Sequence, residues 1–217
     1  MPKIDFISDI NKKFGDALGY PEVDRYMRKV LWWHLGIYSL LIFTNAIMKI
    51  AETNPNPAAW RVINPTEALV SFVIALAAVL IPVYLFGKIK NHYLWRIVVT
   101  TALVVYSYLF VFISGGSIEM HFHFFIIAAL IVMYADWRLG WILLVLTGLH
   151  HGILNYLQPG WVYFYGRNDL AVVSHAIPVL IMVLFTTKLS ELIRGGVIAL
   201  DLTNRGIVAK LGGDKQK

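Results

Sequence analysis

The stretch Glu119-Met120-His121-Phe122-His123-Phe124-Phe125-Ile126-Ile127-Ala128-Ala129-Leu130-Ile131-Val132 decides how this chain is read. Its second half is an aliphatic run of the kind that fills a bilayer. Its first half places a carboxylate and two imidazoles at the head of that run. Ionisable side chains are costly inside a bilayer, so such a group marks function by default.

The surrounding sequence has the same character. Of 217 residues, 58% are hydrophobic and 15% charged, against about 25% charged in an ordinary soluble domain; the mean hydropathy is +0.65. The apolar excess falls in blocks of roughly 20 residues, the length that crosses a hydrocarbon core as a helix. Six spans are expected: 27–49, 67–86, 93–113, 117–134, 139–157 and 170–192. The second has a start signal, since Asn64-Pro65-Thr66-Glu67 sets a capping side chain, a proline at the first helical position and a glutamate at the third. Pro159-Gly160 separates the fifth span from the sixth. The expected fold is an all-α, polytopic membrane bundle of six transmembrane helices. Residues 1–26 form an interfacial N-terminal segment, without the apolar core of a cleavable signal. Residues 27–192 form the transmembrane domain, and 193–217 a short tail.

Charge sets the orientation. All but Lys49, Arg61 and Arg167 of the 19 Lys and Arg fall on one side of these spans, so by the positive-inside rule both termini are expected in the cytoplasm. The net charge of +6 is thereby a topology signal, not a nucleic-acid patch. The expected location is an integral, multi-pass position in a membrane, the bacterial inner membrane by type, with the lipid bilayer as solvent. Trp32, Trp33, Trp95, Trp137, Trp141 and Trp161 fall near span ends as an interfacial belt, with Trp60 in the first external loop. There is no cysteine, which removes disulfides, zinc–thiolate sites and iron–sulfur clusters.

Depth along the spans gathers the candidate site. Glu119, His121 and His123 lie in the first turns of the fourth span, His150 and His151 about two turns below the outer end of the fifth, and His175 one to two turns into the sixth, at about 1.5 Å per residue. All six are expected in the outer leaflet, as metal ligands. Glu119 and His123, at i and i+4, share a helical face, and His121 faces nearly the other way. Either the two histidines serve different neighbours, or the helix start is irregular there, as Gly115-Gly116 would permit. Thr147, His151 and Asn155 form a polar stripe. Imidazoles with a carboxylate suit iron, copper or zinc. Asn155, Thr147, Ser174 or Asp169 are candidates to hold the second imidazole nitrogen. Haem b between two histidines is the alternative cofactor, since several His pairs would serve; five histidines at one level favour the non-haem reading. His92 is expected as a solvated interfacial residue. His34, in the inner half of the first span, is placed too deep to join the cluster and is left as a second site or a packing residue.

These residues resemble a family. Ser114-Gly115-Gly116-Ser117-Ile118-Glu119-Met120-His121-Phe122-His123-Phe124-Phe125, then Tyr134-Ala135-Asp136-Trp137-Arg138, then His150-His151-Gly152, then Ser174-His175-Ala176 look like the six-span membrane sensor module found ahead of bacterial chemoreceptor, diguanylate cyclase and histidine kinase domains. The likeness covers roughly 93–192; earlier spans match in hydropathy alone. It implies a sensory input domain whose Glu119, His121, His123, His150, His151 and His175 bind a metal or cofactor. In that family the sixth span feeds a signalling domain, whereas about 25 residues follow it here, fewer than the roughly 50 a domain needs. The expectation is a sensor or an accessory subunit working with a membrane protein partner or as a homo-oligomer. A membrane oxidoreductase with a non-haem iron or copper centre, or a haem-b electron-transfer subunit, are the other readings.

Overall fold

The computed structural model describes residues 21–47 and 62–213, and every regular element among them is helical. In chain order these are α1 (Pro21–Ile42), which runs into a π-helical turn at Phe43–Ile47, α2 (Pro65–Leu85), α3 (His92–Ile113), α4 (Ile118–His121), α5 (His123–Ile131) with a 3₁₀ turn at Val132–Tyr134, α6 (Arg138–Leu157), a 3₁₀ turn at Pro159–Trp161, and α7 (Asp169–Gly213). Four of them, α2, α3, α6 and α7, are long and apolar enough to cross a membrane; Ile118–Tyr134 is a shorter apolar stretch. The interfacial helix expected before Tyr20, and Trp60, lie outside the described residues. Helix α1 already starts at Pro21, ahead of the expected edge at 27.

Helix α2 shows how the sequence specifies its surroundings. The Asn64 side chain accepts from Glu67 N at 2.9 Å, and Glu67 Oε2 accepts from Asn64 N at 3.1 Å, so the cap is reciprocal. Its buried residues are small, Ala68, Ser71, Ala75 and Ala78 among them, while Leu69, Val70, Val73, Ile74, Leu80 and Ile81 are exposed. That inside-out arrangement suits lipid: small side chains let helices approach, and large aliphatic ones lose nothing by facing acyl chains.

Helix α3 is the centre of the bundle, packed against α1, α2, α5 and α6, and α7 closes the far side against α6 and α5. Polar bonds tie the helices together. Tyr106 Oη donates to Ala75 O at 2.8 Å, and Asn45 Nδ2 to Ile113 O at 3.2 Å. Trp95 Nε1 donates to Asp24 Oδ1 at 2.9 Å. With 3% exposure, Trp95 is a buried bridge between α1 and α3 and not an interfacial anchor; Trp32, Trp33, Trp137 and Trp141 are exposed.

Two departures from expectation position the site. The fourth apolar segment is not one helix, since α4 ends at His121, Phe122 is a turn residue, and α5 restarts at His123. The sixth helix does not end at 192: α7 continues to Gly213, 45 residues in all.

Candidate functional site

The four elements α4, α6, α7 and the loop after the Pro159–Trp161 turn bring three imidazoles and a phenol together. The ring centroids of His121 and His151 are 5.3 Å apart, those of His121 and His175 5.3 Å, and those of His151 and His175 5.9 Å. The Tyr163 ring lies 6.2, 5.9 and 5.4 Å from those of His121, His151 and His175.

Each imidazole is oriented in the same way. His121 Nδ1 is 2.7 Å from Ser117 O, His151 Nδ1 2.9 Å from Thr147 O, and His175 Nδ1 2.8 Å from Ala171 O. In every case the acceptor is the carbonyl four residues back on the same helix. A carbonyl can only accept, so Nδ1 carries the proton in all three rings, and Nε2 is left with its lone pair. The Nε2 atoms of His121 and His151 are buried and have no hydrogen-bond partner among the described residues, and neither has the Tyr163 hydroxyl. Buried polar atoms are normally paired, so three orphans within one set of touching rings set this place apart. Among the described residues, however, no group of three or more His, Asp or Glu side chains is drawn tightly enough together to be a ready-made ion site.

Of the four residues expected to orient the rings, Thr147 does so, through its backbone carbonyl to His151, while Asn155, Asp169 and Ser174 bond elsewhere. Backbone carbonyls hold the rings, whereas the Asn155 side chain donates to Asp169 Oδ1 at 2.7 Å and accepts from Asn168 N at 3.0 Å, stapling the end of α6 to the start of α7. Ser174 Oγ turns back to Ala171 O at 3.0 Å.

Of the six candidate residues, the structure brings together His121, His151 and His175. Glu119 is exposed on α4 and stands outside the ring group, because a residue two before His121 on a helix points nearly the opposite way. His123 faces the other side, where its Nε2 lies 3.0 Å from His34 Nε2 and its Nδ1 2.8 Å from Ser107 Oγ. His34, expected too deep to meet any outer histidine, is thus the direct partner of one. His150 stacks face to face on Tyr108, centroids 4.1 Å apart and planes parallel, and touches His151 edge-on at 5.1 Å. His92 opens α3 half-buried.

Tyr163 had no signal of its own in the sequence. Its position follows from Gly116, where φ is +82° and a Cβ would stand 2.5 Å from Val162 C, Val162 O and Tyr163 N. Only glycine permits both that backbone angle and that approach. The Gly115-Gly116 turn therefore seats the loop that carries Tyr163 against α4.

A cavity of about 280 Å³ adjoins these rings, lined by His121, His151, His175, Thr147, Phe124 and Pro178 with other apolar side chains. Its wall is mostly apolar with convergent imidazoles, the make-up of a small-ligand pocket.

No protein-family model matches the chain, and no solved structure does. Among curated proteins it is similar to transducer protein Htr8 of Halobacterium salinarum, at 40% identity over 67 residues. That stretch is 30% of this chain and 10% of the transducer, so the chain matches about a tenth of that protein's length. The chain thus combines described residues whose regular elements are all helical, four helices apolar enough to cross a membrane and a partial similarity to a transducer, which is compatible with a sensory role.

Proposed function

We propose that this protein is a membrane sensor module in which His121, His151 and His175 hold one transition-metal ion of the iron, copper or zinc type. The observation that carries this reading is the matched orientation of the three rings, each with Nδ1 given to a carbonyl and Nε2 left free. Metal-binding histidines are usually oriented in this way. Spacing supports the fit. Three imidazoles bound tetrahedrally at about 2.1 Å through Nε2 have ring centroids about 5.2 Å apart. The two pairs that include His121 stand at 5.3 Å, and the His151–His175 pair, at 5.9 Å, is the one that must close.

Three neighbouring rings also argue against haem b, whose macrocycle would need the space the third imidazole fills. His121, His151 and His175 would hold the ion, which would supply a site for an exogenous ligand and, as iron or copper, redox chemistry. The chain's own residues supply the rest. The 280 Å³ cavity admits a small lipid-soluble molecule, Tyr163 offers a hydroxyl donor beside the rings, and the i−4 carbonyls fix the tautomers.

Output runs through α7. His175 lies near the start of this 45-residue helix, and Pro178 stands three residues on, removing one rung of its hydrogen-bond ladder. At about 1.5 Å per residue α7 is roughly 67 Å long, twice the hydrocarbon thickness. A shift at His175 is carried along it towards the Lys- and Arg-rich side, the cytoplasmic one by the charge rule. The similarity to a transducer favours this sensory reading over an electron-transfer or oxidoreductase role.

The reading is tested by thermal unfolding of the purified protein before and after chelation, with its absorption spectrum recorded. Chelation should lower the melting temperature of the wild type and leave His175→Ala unchanged. An intense Soret band, or equal chelator response in both proteins, contradicts it.

A further inference from the structure

A second cavity, of about 430 Å³, lies between α2, α3 and α6 and adjoins His150. We infer that it is a binding site for a neutral, ring-bearing lipophile of the quinone or quinol class, held by a hydrogen bond to His150. The inference does not depend on a metal at His121, His151 and His175.

His150 is the anomaly that calls for a ligand. It is 9% exposed, its Nδ1 is buried without a partner, and it makes no hydrogen bond to any described residue. The other four histidines of the candidate set all do. A native protein rarely leaves such a group unpaired. The surroundings then restrict what can pair with it. The wall is Val70, Ile74, Val105, Leu109, Phe112 and Leu154, with Tyr108 and Trp161 as flat partners. None of the lining residues is Lys or Arg, and the single carboxylate, Glu67, already accepts from Asn64 N. An anionic lipid headgroup therefore finds no counter-charge here, and a bare acyl chain would leave His150 unpaired. The volume falls within the roughly 300–1,000 Å³ of small-molecule sites. Val70 and Ile74, on the exposed side of α2, give the cavity an apolar rim through which a membrane-dissolved compound can enter. Imidazole can donate to a quinone carbonyl or accept from a quinol hydroxyl, so both redox forms can be held. Tyr108, stacked on His150 at 4.1 Å, fixes the ring that makes the bond.

The test is calorimetric titration of the chelated protein in lipid nanodiscs with a benzoquinone bearing a ten-carbon chain. Wild type should bind saturably, and His150→Phe, which keeps the stack but lacks the nitrogens, should bind about five- to tenfold more weakly, the worth of one buried hydrogen bond. Val70→Trp, a change on an exposed face, should fill the entrance and abolish binding. Absence of saturable binding by wild type, wild-type affinity in both variants, or equal binding of decanol would overturn the inference. Because the protein is metal-free throughout, failure here leaves the metal reading untouched.

Discussion

His34 Nε2 and His123 Nε2 lie 3.0 Å apart and join α1 to α5 through the middle of the bundle. The surrounding bonds fix the direction of each proton. His34 Nδ1, 2.7 Å from Val30 O, must be the donor there, so its Nε2 accepts. His123 then donates from Nε2, and its Nδ1 accepts from the Ser107 hydroxyl at 2.8 Å. Both imidazoles are neutral and satisfied, in a one-way chain from Ser107 to Val30.

This chain predicts strong coupling. His34→Ala and His123→Ala each strand a buried partner and should cost about 1–3 kcal/mol, whereas the double variant should cost clearly less than their sum. Chemical unfolding of the four proteins in detergent gives the cycle; additive costs would contradict the pairing.

Gly116 should be intolerant for a reason local to Tyr163. Gly116→Ala adds a methyl where backbone atoms stand 2.5 Å away and should destabilise by about 1–3 kcal/mol. It should also weaken metal retention by displacing the Tyr163 loop. Gly148→Ala, where nothing stands within 4 Å, should be neutral or up to about 1 kcal/mol stabilising, as for a helical glycine. Melting curves with and without chelator distinguish the two.

Tyr163→Phe should split by ligand state. Removing an unpaired buried hydroxyl should leave the metal-free protein equal or about 1 kcal/mol more stable. The metal-loaded protein should lose stability and change its absorption spectrum, because the Tyr163 ring lies against all three imidazoles.

What was legible in the sequence divides by range. The Asn64–Glu67 cap was legible because it is settled within four residues, and the separate facings of His150 and His151 because adjacent helical residues diverge by about 100°. Depth, which needs only the spans, grouped Glu119, His121, His123, His150, His151 and His175 but could not separate the three whose rings meet from the three that face elsewhere. The His34–His123 bond was not legible, since depth counted from charges put His34 at the wrong level and the turn at Phe122 redirects His123. Trp95 is buried because Asp24 offers its indole an acceptor, a contact 71 residues away. Tyr163 is placed by a clash no single segment reveals.

The Tyr134–Arg138 string does structural work on the side opposite the rings. Arg138 Nε and Nη2 each donate to Asp136 at 2.8 Å, and Arg96 Nη1 reaches it at 3.4 Å. Burial alone would raise Asp136, but the Arg138 bonds and the charges of Arg138 and Arg96 outweigh it and hold the carboxyl below its usual range. A depressed folded-state value stabilises above the unfolded pKa of about 3.9 and is lost as pH falls through the folded value. Asp136→Asn should therefore cost about 3 kcal/mol at neutral pH, the cost of breaking a buried pair. The gap from wild type should narrow below about pH 4, and an unfolding series showing a constant gap would contradict this.

The central claim is that three of the histidines, and not the other sequence candidates, hold an ion. Elemental analysis of the purified protein and its variants measures this directly. Wild type should carry about one transition-metal ion per chain. His121→Ala, His151→Ala and His175→Ala should lose it, while Glu119→Gln, His123→Ala and His150→Phe keep it. A metal-free wild type, or loss in His123→Ala with retention in His151→Ala, would contradict the account.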